Sequence, residues 1–245
     1  MLRLGDDFVA RLPRHATGAA LMEHEHRWLA EVTGPLPVAT PTLVVAGRPG
    51  AGYPWSWSVA RWLEGTTGRA TPPGDLVPVL TALHRPAPPG APGNPFRDVP
   101  LRDREPRHAE ALAEIGHPEA ARLCAELASL ALVPGPVGPP VWVHGDLHPR
   151  NLVVRDGRLA GVIDWGDLHA GDRAVDLAVF WMLEGEPGTV REDLAVDDDT
   201  WARARGWALV LGVMFLWLGK TKGDEGFVAL GDHTLGRVSP RSDRP

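Results

Sequence analysis

The sequence lacks several features that mark particular classes of protein. Its 245 residues include one cysteine, Cys124, so an internal disulfide is excluded and a reducing compartment is expected. The longest apolar run, at 207–219, is shorter than the roughly 20 residues of a membrane-spanning helix, and we interpret it as a buried helix. The amino terminus is charged and does not resemble a signal peptide. We therefore predict a cytoplasmic protein with no membrane partner.

An excess of positive charge is also absent. The formal net charge at pH 7 is −6, which argues against a nucleic-acid partner because phosphate contacts need a basic surface. The hydrophobic fraction of 44% is typical of a globular protein, and the chain is long enough for one large domain or two lobes with a cleft. No internal repeat is found, and the sequence gives no indication of an oligomeric state.

Local patterns divide the chain into two parts. In the first part, apolar periodicity and turn signals predict a helix at 18–33 and strands at 6–13, 42–47 and 55–65. In the second part, the same reasoning predicts helices at 75–84, within 104–131, at 174–184 and at 200–219. The Asp156-Gly157 pair predicts a β-hairpin over 151–165. We expect a small mixed lobe at 1–64 and a larger, mainly helical lobe at 65–245.

The stretch HGDLHPRN at 144–151 carries polar residues that suit phosphoryl transfer. Asp146 follows an apolar strand, Asn151 opens the hairpin and Asp164 closes it, so the hairpin brings these residues together. Oxygen ligands of this kind suit Mg²⁺. In phosphoryl transfer, one aspartate accepts the proton of the acceptor hydroxyl, while an asparagine and a second aspartate hold the metal on the phosphates. The three residues supply these parts in order.

In this region the sequence resembles the aminoglycoside phosphotransferases and related small-molecule kinases. HGDLHPRNLVV resembles their catalytic loop, GVIDWGD their metal-binding motif, and GDRAVDLAVFW the helix start that supports the loop. Further resemblance is found in FVARLPR, EHEHRWL, YPWSWSVARWLEG and NPFRDVPLRDRE. The resemblance implies an α+β, protein-kinase-like fold of two lobes, with Asp146 as catalytic base and Asn151 and Asp164 as magnesium ligands. It also implies transfer of the γ-phosphate of ATP or GTP to a hydroxyl of a small molecule, such as an aminoglycoside or a related antibiotic.

The helix at 18–33 carries an acidic residue, Glu25, on its apolar stripe. A buried charge needs a partner, and we predict Arg11 on the neighbouring strand, with Arg14 as the second candidate. A strand cation paired with a helix glutamate positions the phosphates in kinases, and the resemblance places Arg11 where the family usually has lysine. The alternative is a purely structural ion pair.

The segment WSVARWLEG resembles the connection between the lobes, where main-chain groups bind adenine. By position, Arg61 and Leu63 would supply these groups. Members of the family normally have a strand, a glycine-rich phosphate-covering loop and a second strand before the segment that resembles FVARLPR. From this difference we expect an N-terminally shortened small lobe with an exposed sheet edge.

Two other functions stay open at this point. One is a non-catalytic, kinase-like binding protein, which the missing glycine-rich loop would favour. The other is a metal hydrolase with His144 and His148 as zinc ligands, although His169 and His233 lie in no metal-binding spacing. The resemblance instead implies that His144 holds the loop through hydrogen bonds.

Acidic residues in the second half have structural interpretations. Asp172 and Asp176 are expected to cap a helix and to support the loop backbone. Seven acidic residues between 184 and 199 suit either a rim for a cationic acceptor or capping of the helix before Thr200, and we favour capping. The identity of the acceptor is therefore left open.

Overall fold

The fold consists of an antiparallel sheet near the amino terminus and a mainly helical body after it. A computed structural model describes residues 1–238. The strands are β1 (Leu2–Leu4), β2 (Phe8–Arg11), β3 (Leu43–Gly47), β4 (Trp57–Arg61), β5 (Thr66–Thr67), β6 (Val141–Val143), β7 (Leu152–Arg155), β8 (Arg158–Val162) and β9 (His169–Gly171). The α-helices are α1 (Ala16–Thr33), α2 (Pro73–Leu83), α3 (Glu105–Glu114), α4 (Ala120–Leu130), α5 (Ala174–Leu177), α6 (Asp198–Lys222) and α7 (Glu225–Val238).

The first sheet has the strand order β1-β2-β4-β3, with every neighbouring pair antiparallel. The predicted strands correspond to β2, β3 and β4 and are confirmed. Strand β1 was not predicted, since three residues before a tight turn at Gly5 (φ 60°) are too few to show a period. Strand β1 is at one end of this sheet, and all three of its side chains are exposed.

Helix α1 follows the capping residue His15. It ends before Gly34, as predicted. The Gly18 N–H donates to Nδ1 of His15 at 3.1 Å, which satisfies one of the free amides at the helix start. The apolar residues of α1 recur every three or four positions, so they lie on one face of the helix, which packs against the rest of the protein. Its buried residues are Ala19, Met22, Glu25, Leu29 and Val32, which confirms the inward direction of Glu25.

Main-chain contacts fix the first sheet and α1 to the helical body. Ala39 donates to the carbonyl of Ala160 and accepts from the N–H of Val162, both at 3.0 Å. A side chain at Gly161 would meet the Ala39 carbonyl at 2.9 Å, so only glycine permits this approach. In addition, the side chain of Arg85 donates to the carbonyls of Glu31 and Val32 at the end of α1. The division of the chain at residue 64 stays a prediction.

The predicted hairpin is formed by β7 and β8, and its turn places Asn151 and Asp164 at the open end. Asp156 and Gly157 both have a positive φ, at 53° and 73°, as an Asp-Gly hairpin turn requires. Leu152 pairs with Val162, so the residues flanking this pair meet on one side of the protein.

Helix α6 is the central helix of the body. Asp197 caps it by accepting the N–H of Thr200 at 2.7 Å, and the left-handed Gly223 (φ 68°) ends it. By length and composition this helix could cross a membrane, but 72% of its apolar stretch is buried among the described residues. The interpretation of the apolar run as a buried core helix is therefore confirmed.

Two helix predictions need correction. Only Ala174–Leu177 of the helix predicted at 174–184 is α-helical, and Ala178–Trp181 forms a 3₁₀ turn. This segment is buried on all sides, so its apolar pattern has no period that marks the helix type. Helix α7 was missed because its glycines weaken the helical signal. One of them, Gly231, permits close packing, since a Cβ there would lie 2.6 Å from the Leu216 nitrogen of α6.

A buried histidine on α3 is expected to make the stability depend on pH. His108 is 4% exposed, and its ring nitrogens have no hydrogen-bond partner among the described residues. Burial, followed by the charge of Arg104, lowers the pKa of His108 from 6.5 to about 4. Below pH 6.5 the unfolded chain gains a proton that the folded protein does not bind, so the free energy of unfolding should fall until about pH 4. From pH 7 to pH 5 the expected loss is roughly 2 kcal/mol.

Urea unfolding at both pH values measures this loss. The variant His108→Leu should remove this part of the pH dependence, because it has no group to titrate there. A matched control is His15→Asn, which replaces an exposed histidine by a residue that can still cap α1. An unchanged pH dependence in His108→Leu would contradict the prediction.

Candidate active site

The backbone of the loop that carries Asp146 is held by hydrogen bonds to Asp176, which is fully buried. One carboxylate oxygen of Asp176 accepts the His144 N–H at 2.9 Å and lies 3.2 Å from Nε2 of His84, and the other accepts the Gly145 N–H at 2.9 Å. Burial raises the pKa of Asp176, but His84, the charge of His144 and the hydrogen bond from the Gly145 amide together hold the pKa below its usual value. The predicted support of the loop by Asp176 is confirmed.

Hydrogen bonds occupy the two histidines of the loop. In His144, Nε2 lies 3.1 Å from the Ile163 carbonyl and Nδ1 accepts the Asp146 N–H at 3.2 Å. In His148, Nδ1 accepts the Arg150 N–H at 3.2 Å and Nε2 lies 3.5 Å from Oδ2 of Asp146. The expected structural role of His144 is confirmed. Residues 1–238 contain no group of three or more His, Cys, Asp or Glu arranged to hold a metal.

The Asp146 carboxylate lies between a histidine and a buried arginine. Nη2 of Arg97 lies 3.2 Å from Oδ1, and 22% of the Asp146 side chain is exposed. Burial raises the pKa of Asp146, but the hydrogen bond and charge of His148 and the charge of Arg97 hold it well below its usual range. Asp146 is therefore ionised at neutral pH and can accept a hydrogen bond or a proton from a hydroxyl.

Asn151 connects this loop to the end of the hairpin. Its Nδ2 donates to the Asp146 carbonyl at 2.9 Å, and its own carbonyl accepts the Ile163 N–H at 3.0 Å. Asp164 follows Ile163 and has a left-handed backbone (φ 62°), which is uncommon for a residue with a side chain. The structure thus brings Asp146, Asn151 and Asp164 together, as the hairpin predicted. Amide and carboxylate oxygens are ligands that fit Mg²⁺, so the donor set suits the predicted metal.

Arg11 connects the small sheet to this group of residues. It forms an ion pair with Glu25, which confirms the predicted partner, whereas Arg14 is exposed. A second nitrogen, Nη2, lies 2.8 Å from Oδ1 of Asp164. This second contact was not predicted, and it places the guanidinium directly beside a predicted magnesium ligand.

The two residues predicted to contact adenine lie at the junction between the first sheet and the hairpin. The Arg61 N–H donates to the Thr42 carbonyl at 3.0 Å, so this amide is engaged within the small sheet. Leu63 packs beside Gly161 of β8, since a Cβ at Gly161 would lie 3.1 Å from Cδ1 of Leu63. Both residues lie apart from the contacts around Asp146, and their role with adenine stays a prediction.

Sequence reasoning missed two residues in the proline-rich connector at 85–100. Nε of Arg97 donates to the Gly145 carbonyl at 2.8 Å, in addition to its contact with Asp146. Nδ2 of Asn94 donates to Oδ1 of Asp167 at 2.7 Å. The signal that could have found them is the Asn-Pro-Phe-Arg sequence, because asparagine before proline favours a turn that fixes the following residues.

The acidic run before α6 has capping and pairing partners. Asp197 caps the helix, and Asp198 forms an ion pair with Arg191, so the capping interpretation is confirmed. With Asp199 these residues line a cavity of about 1250 Å³. Asp146 is not among its described lining residues, whereas Arg97 is.

Solved structures with similar folds are phosphotransferases. The GDP complex of aminoglycoside 2'-phosphotransferase-IIIa has a TM-score of 0.68 and 22% sequence identity, over 96% of this chain and 86% of that chain. For macrolide 2'-phosphotransferase type I, the TM-score is 0.60 and the identity 21%, over 91% of this chain and 81% of that chain. These likenesses establish the fold, and the predicted α+β, kinase-like fold of two lobes is confirmed.

Curated relatives match over short segments. Aminoglycoside 3'-phosphotransferase of Escherichia coli is 44% identical over 46 residues, which is 19% of this chain and 17% of that protein. Protein YcbJ of Bacillus subtilis (strain 168) is 36% identical over 50 residues, which is 20% of this chain and 16% of that protein. The aligned part therefore spans about a sixth of the length of these relatives.

A family profile, described as phosphotransferase enzyme family, matches residues 2–207. The match includes the small sheet, the loop with Asp146 and the hairpin that ends at Asp164. It therefore covers Arg11, Glu25, Arg97, Asp146, Asn151 and Asp164. The chain belongs to the phosphotransferase enzyme family.

Proposed function

We propose that the protein transfers the γ-phosphate of ATP or GTP to a hydroxyl group of a small molecule. The observation that supports this is that Arg11 of the small sheet, paired with Glu25, meets Asp164 of the segment that also holds Asp146 and Asn151. Asn151 donates to the carbonyl of Asp146 at 2.9 Å, and Arg11 contacts Asp164 at 2.8 Å while it pairs with Glu25. Phosphoryl transfer needs a base, oxygen ligands for the metal and a positively charged side chain beside the phosphates. Asp146 would be the base, Asn151 and Asp164 the ligands, and Arg11 the positive charge.

In this proposal Asp146 accepts a hydrogen bond from the acceptor hydroxyl. The hydroxyl oxygen forms a bond to the γ-phosphorus, the bond from this phosphorus to the bridging oxygen breaks, and the hydroxyl proton passes to Asp146. The nucleoside diphosphate leaves with the electron pair of the broken bond. Asn151 and Asp164 would hold Mg²⁺, which when bound supplies positive charge to the phosphate oxygens. Arg11, oriented by Glu25, adds a second positive charge.

Proteins of the same fold support the choice of nucleotide and acceptor. Aminoglycoside 2'-phosphotransferase-IIIa was solved with GDP, and APH(2'')-Ib with ADP. Another structure of this group contains GDP and kanamycin, and a further one is a macrolide 2'-phosphotransferase. We therefore propose aminoglycosides and macrolides as the first hydroxyl-bearing compounds to test as acceptors.

Thermal unfolding with nucleotide tests the proposal. With Mg²⁺ and ATP or GTP at about 100 times Kd, binding should stabilise the protein by about 2.7 kcal/mol, because only the folded state binds. For a chain of this size, that gain corresponds to an increase in Tm of roughly 5–10 °C. The increase should be smaller without Mg²⁺, since the phosphates then lack their bridging cation.

Variants of the hairpin make this test specific. Asp164→Asn should abolish the difference between samples with and without Mg²⁺, because the amide is a weaker ligand than the carboxylate. Asp156→Asn is the matched control: it lies at the other end of the hairpin, where asparagine also adopts a positive φ. No stabilisation by either nucleotide would refute the proposal. Nucleotide binding without transfer to water or any acceptor would instead favour a kinase-like binding protein.

A further inference from the structure

The connector between α2 and α3 contributes a short segment, Asn94–Arg97, that lies against the catalytic loop. Oδ1 of Asn94 accepts the N–H groups of Phe96 and Arg97 at 2.8 and 3.1 Å, which closes a tight turn. The Asn94 amide donates to Oδ1 of Asp167. The segment is therefore fixed at one end by Asp167 and at the other by the contacts of Arg97.

Arg97 is 7% exposed, so its charge must be compensated inside the protein. Its guanidinium donates at two positions to one loop: Nε to the Gly145 carbonyl at 2.8 Å and Nη2 to Oδ1 of Asp146 at 3.2 Å. The same nitrogen, Nη2, also lies 3.8 Å from Sδ of Met214 on α6. Two donors in a rigid plane fix both the loop backbone and the carboxylate relative to each other.

The backbone of the catalytic loop is closely packed at Gly145, next to Asp146. Gly145 has a φ of 84°, and a Cβ there would lie 2.4 Å from the Asp167 carbonyl. The backbone beside Asp146 is thus held closely, and the direction of the carboxylate depends on its side-chain contacts. Arg97 contacts Oδ1, whereas Oδ2 lies 3.5 Å from His148.

We propose that Arg97 is a positioning residue: by holding Oδ1 of Asp146 it turns Oδ2 toward the hydroxyl that is to be phosphorylated. This inference rests on the proposed function and deepens it. In the transfer step, the hydroxyl proton passes to Oδ2 as the oxygen–phosphorus bond forms. In this proposal Arg97 acts through Asp146, because its guanidinium donates to the Asp146 carboxylate and to the backbone of the same loop.

The test uses nucleotide hydrolysis by the full chain with Mg²⁺, where water is the acceptor. Arg97→Gln should lower kcat roughly 10- to 100-fold, as for a catalytic group that is misplaced by about an ångström, and leave the KM for nucleotide near the wild-type value. Arg102→Gln is the matched control, because Arg102 lies five residues further on with its side chain 71% exposed. The control should retain the wild-type kcat.

Two further variants separate positioning from a structural role. In the Asp146→Asn background, Arg97→Gln should have little additional effect on kcat, because the carboxylate it positions is already absent. Arg97→Lys keeps the charge and, if Arg97→Gln does not fold, replaces it in the comparison. Arg97→Lys should have only part of the wild-type kcat, since an ammonium group cannot reproduce the two donors of the guanidinium.

The results distinguish this inference from the proposed function. If wild-type protein neither binds nor hydrolyses nucleotide, the proposed function fails. If wild-type protein hydrolyses nucleotide and Arg97→Gln has an unchanged kcat, only the positioning role is overturned. It is also overturned if Arg97→Gln lowers kcat by the same factor with and without Asp146, or if Arg97→Lys is as active as wild type.

Discussion

Replacing Asp146 by asparagine is expected to lower the rate of phosphoryl transfer roughly 10²- to 10⁴-fold, the usual contribution of a general base. Asparagine keeps the shape of the side chain but cannot take a proton from the acceptor. The carboxylate is suited to this role because 22% of it is exposed, while the charges of His148 and Arg97 keep it ionised. Nucleotide affinity should change little, since the proposed nucleotide site consists of Arg11 and the proposed magnesium ligands Asn151 and Asp164.

The measurement compares initial rates with nucleotide affinity in the same preparations. Rates are measured as nucleotide hydrolysis or as transfer to an acceptor from the test panel, and affinity by titration. Asp156→Asn is again the control, because it makes the same chemical change at the far end of the hairpin that follows the Asp146 loop. If Asp146→Asn retained the wild-type rate while the protein was active, Asp146 would not be the base. If its affinity for nucleotide fell along with the rate, the change would have disturbed the phosphate site instead.

The parts of the site that the sequence predicted are those fixed by local rules. Asn151 and Asp164 were expected to be neighbours because an Asp-Gly turn makes a hairpin, and the hairpin joins its own two ends. Glu25 was expected to point inward because it lies on the apolar stripe of a helix. In the first case the turn residues determine which positions meet, and in the second the helical period determines the direction of the side chain.

The contacts that the sequence did not predict depend on tertiary packing. Arg97 lies in a connector without a helical or strand period, so nothing local indicates that it reaches Asp146, 49 residues later. The contact of Arg11 with Asp164 joins positions 153 residues apart and depends on how the small sheet lies over the hairpin. Such contacts form when complete elements pack against each other. The Asn-Pro-Phe-Arg sequence indicates a turn in the connector, but it does not identify the residue that Arg97 contacts.

The largest expected loss of stability follows from removing Asp176. Asp176→Ala leaves the His144 and Gly145 amides without their acceptor and removes the partner of His84. Because Asp176 is fully buried, no water replaces it without rearrangement of the loop. Removing one member of a buried charged network costs about 3–5 kcal/mol, a large part of the stability of a typical domain. Denaturant unfolding measures this loss directly.

The comparison of two substitutions shows whether the charge or the shape of Asp176 matters. Asp176→Asn keeps one acceptor oxygen but turns an NH₂ group toward a donor, so it should still cost about 1–3 kcal/mol. It also provides a measurable variant if Asp176→Ala does not fold. Asp193→Ala, at an exposed position, should change stability by less than about 0.5 kcal/mol. A loss in Asp176→Ala as small as in this control would mean that the loop backbone does not depend on the buried carboxylate. The loop around Asp146 would then need another source of its rigidity.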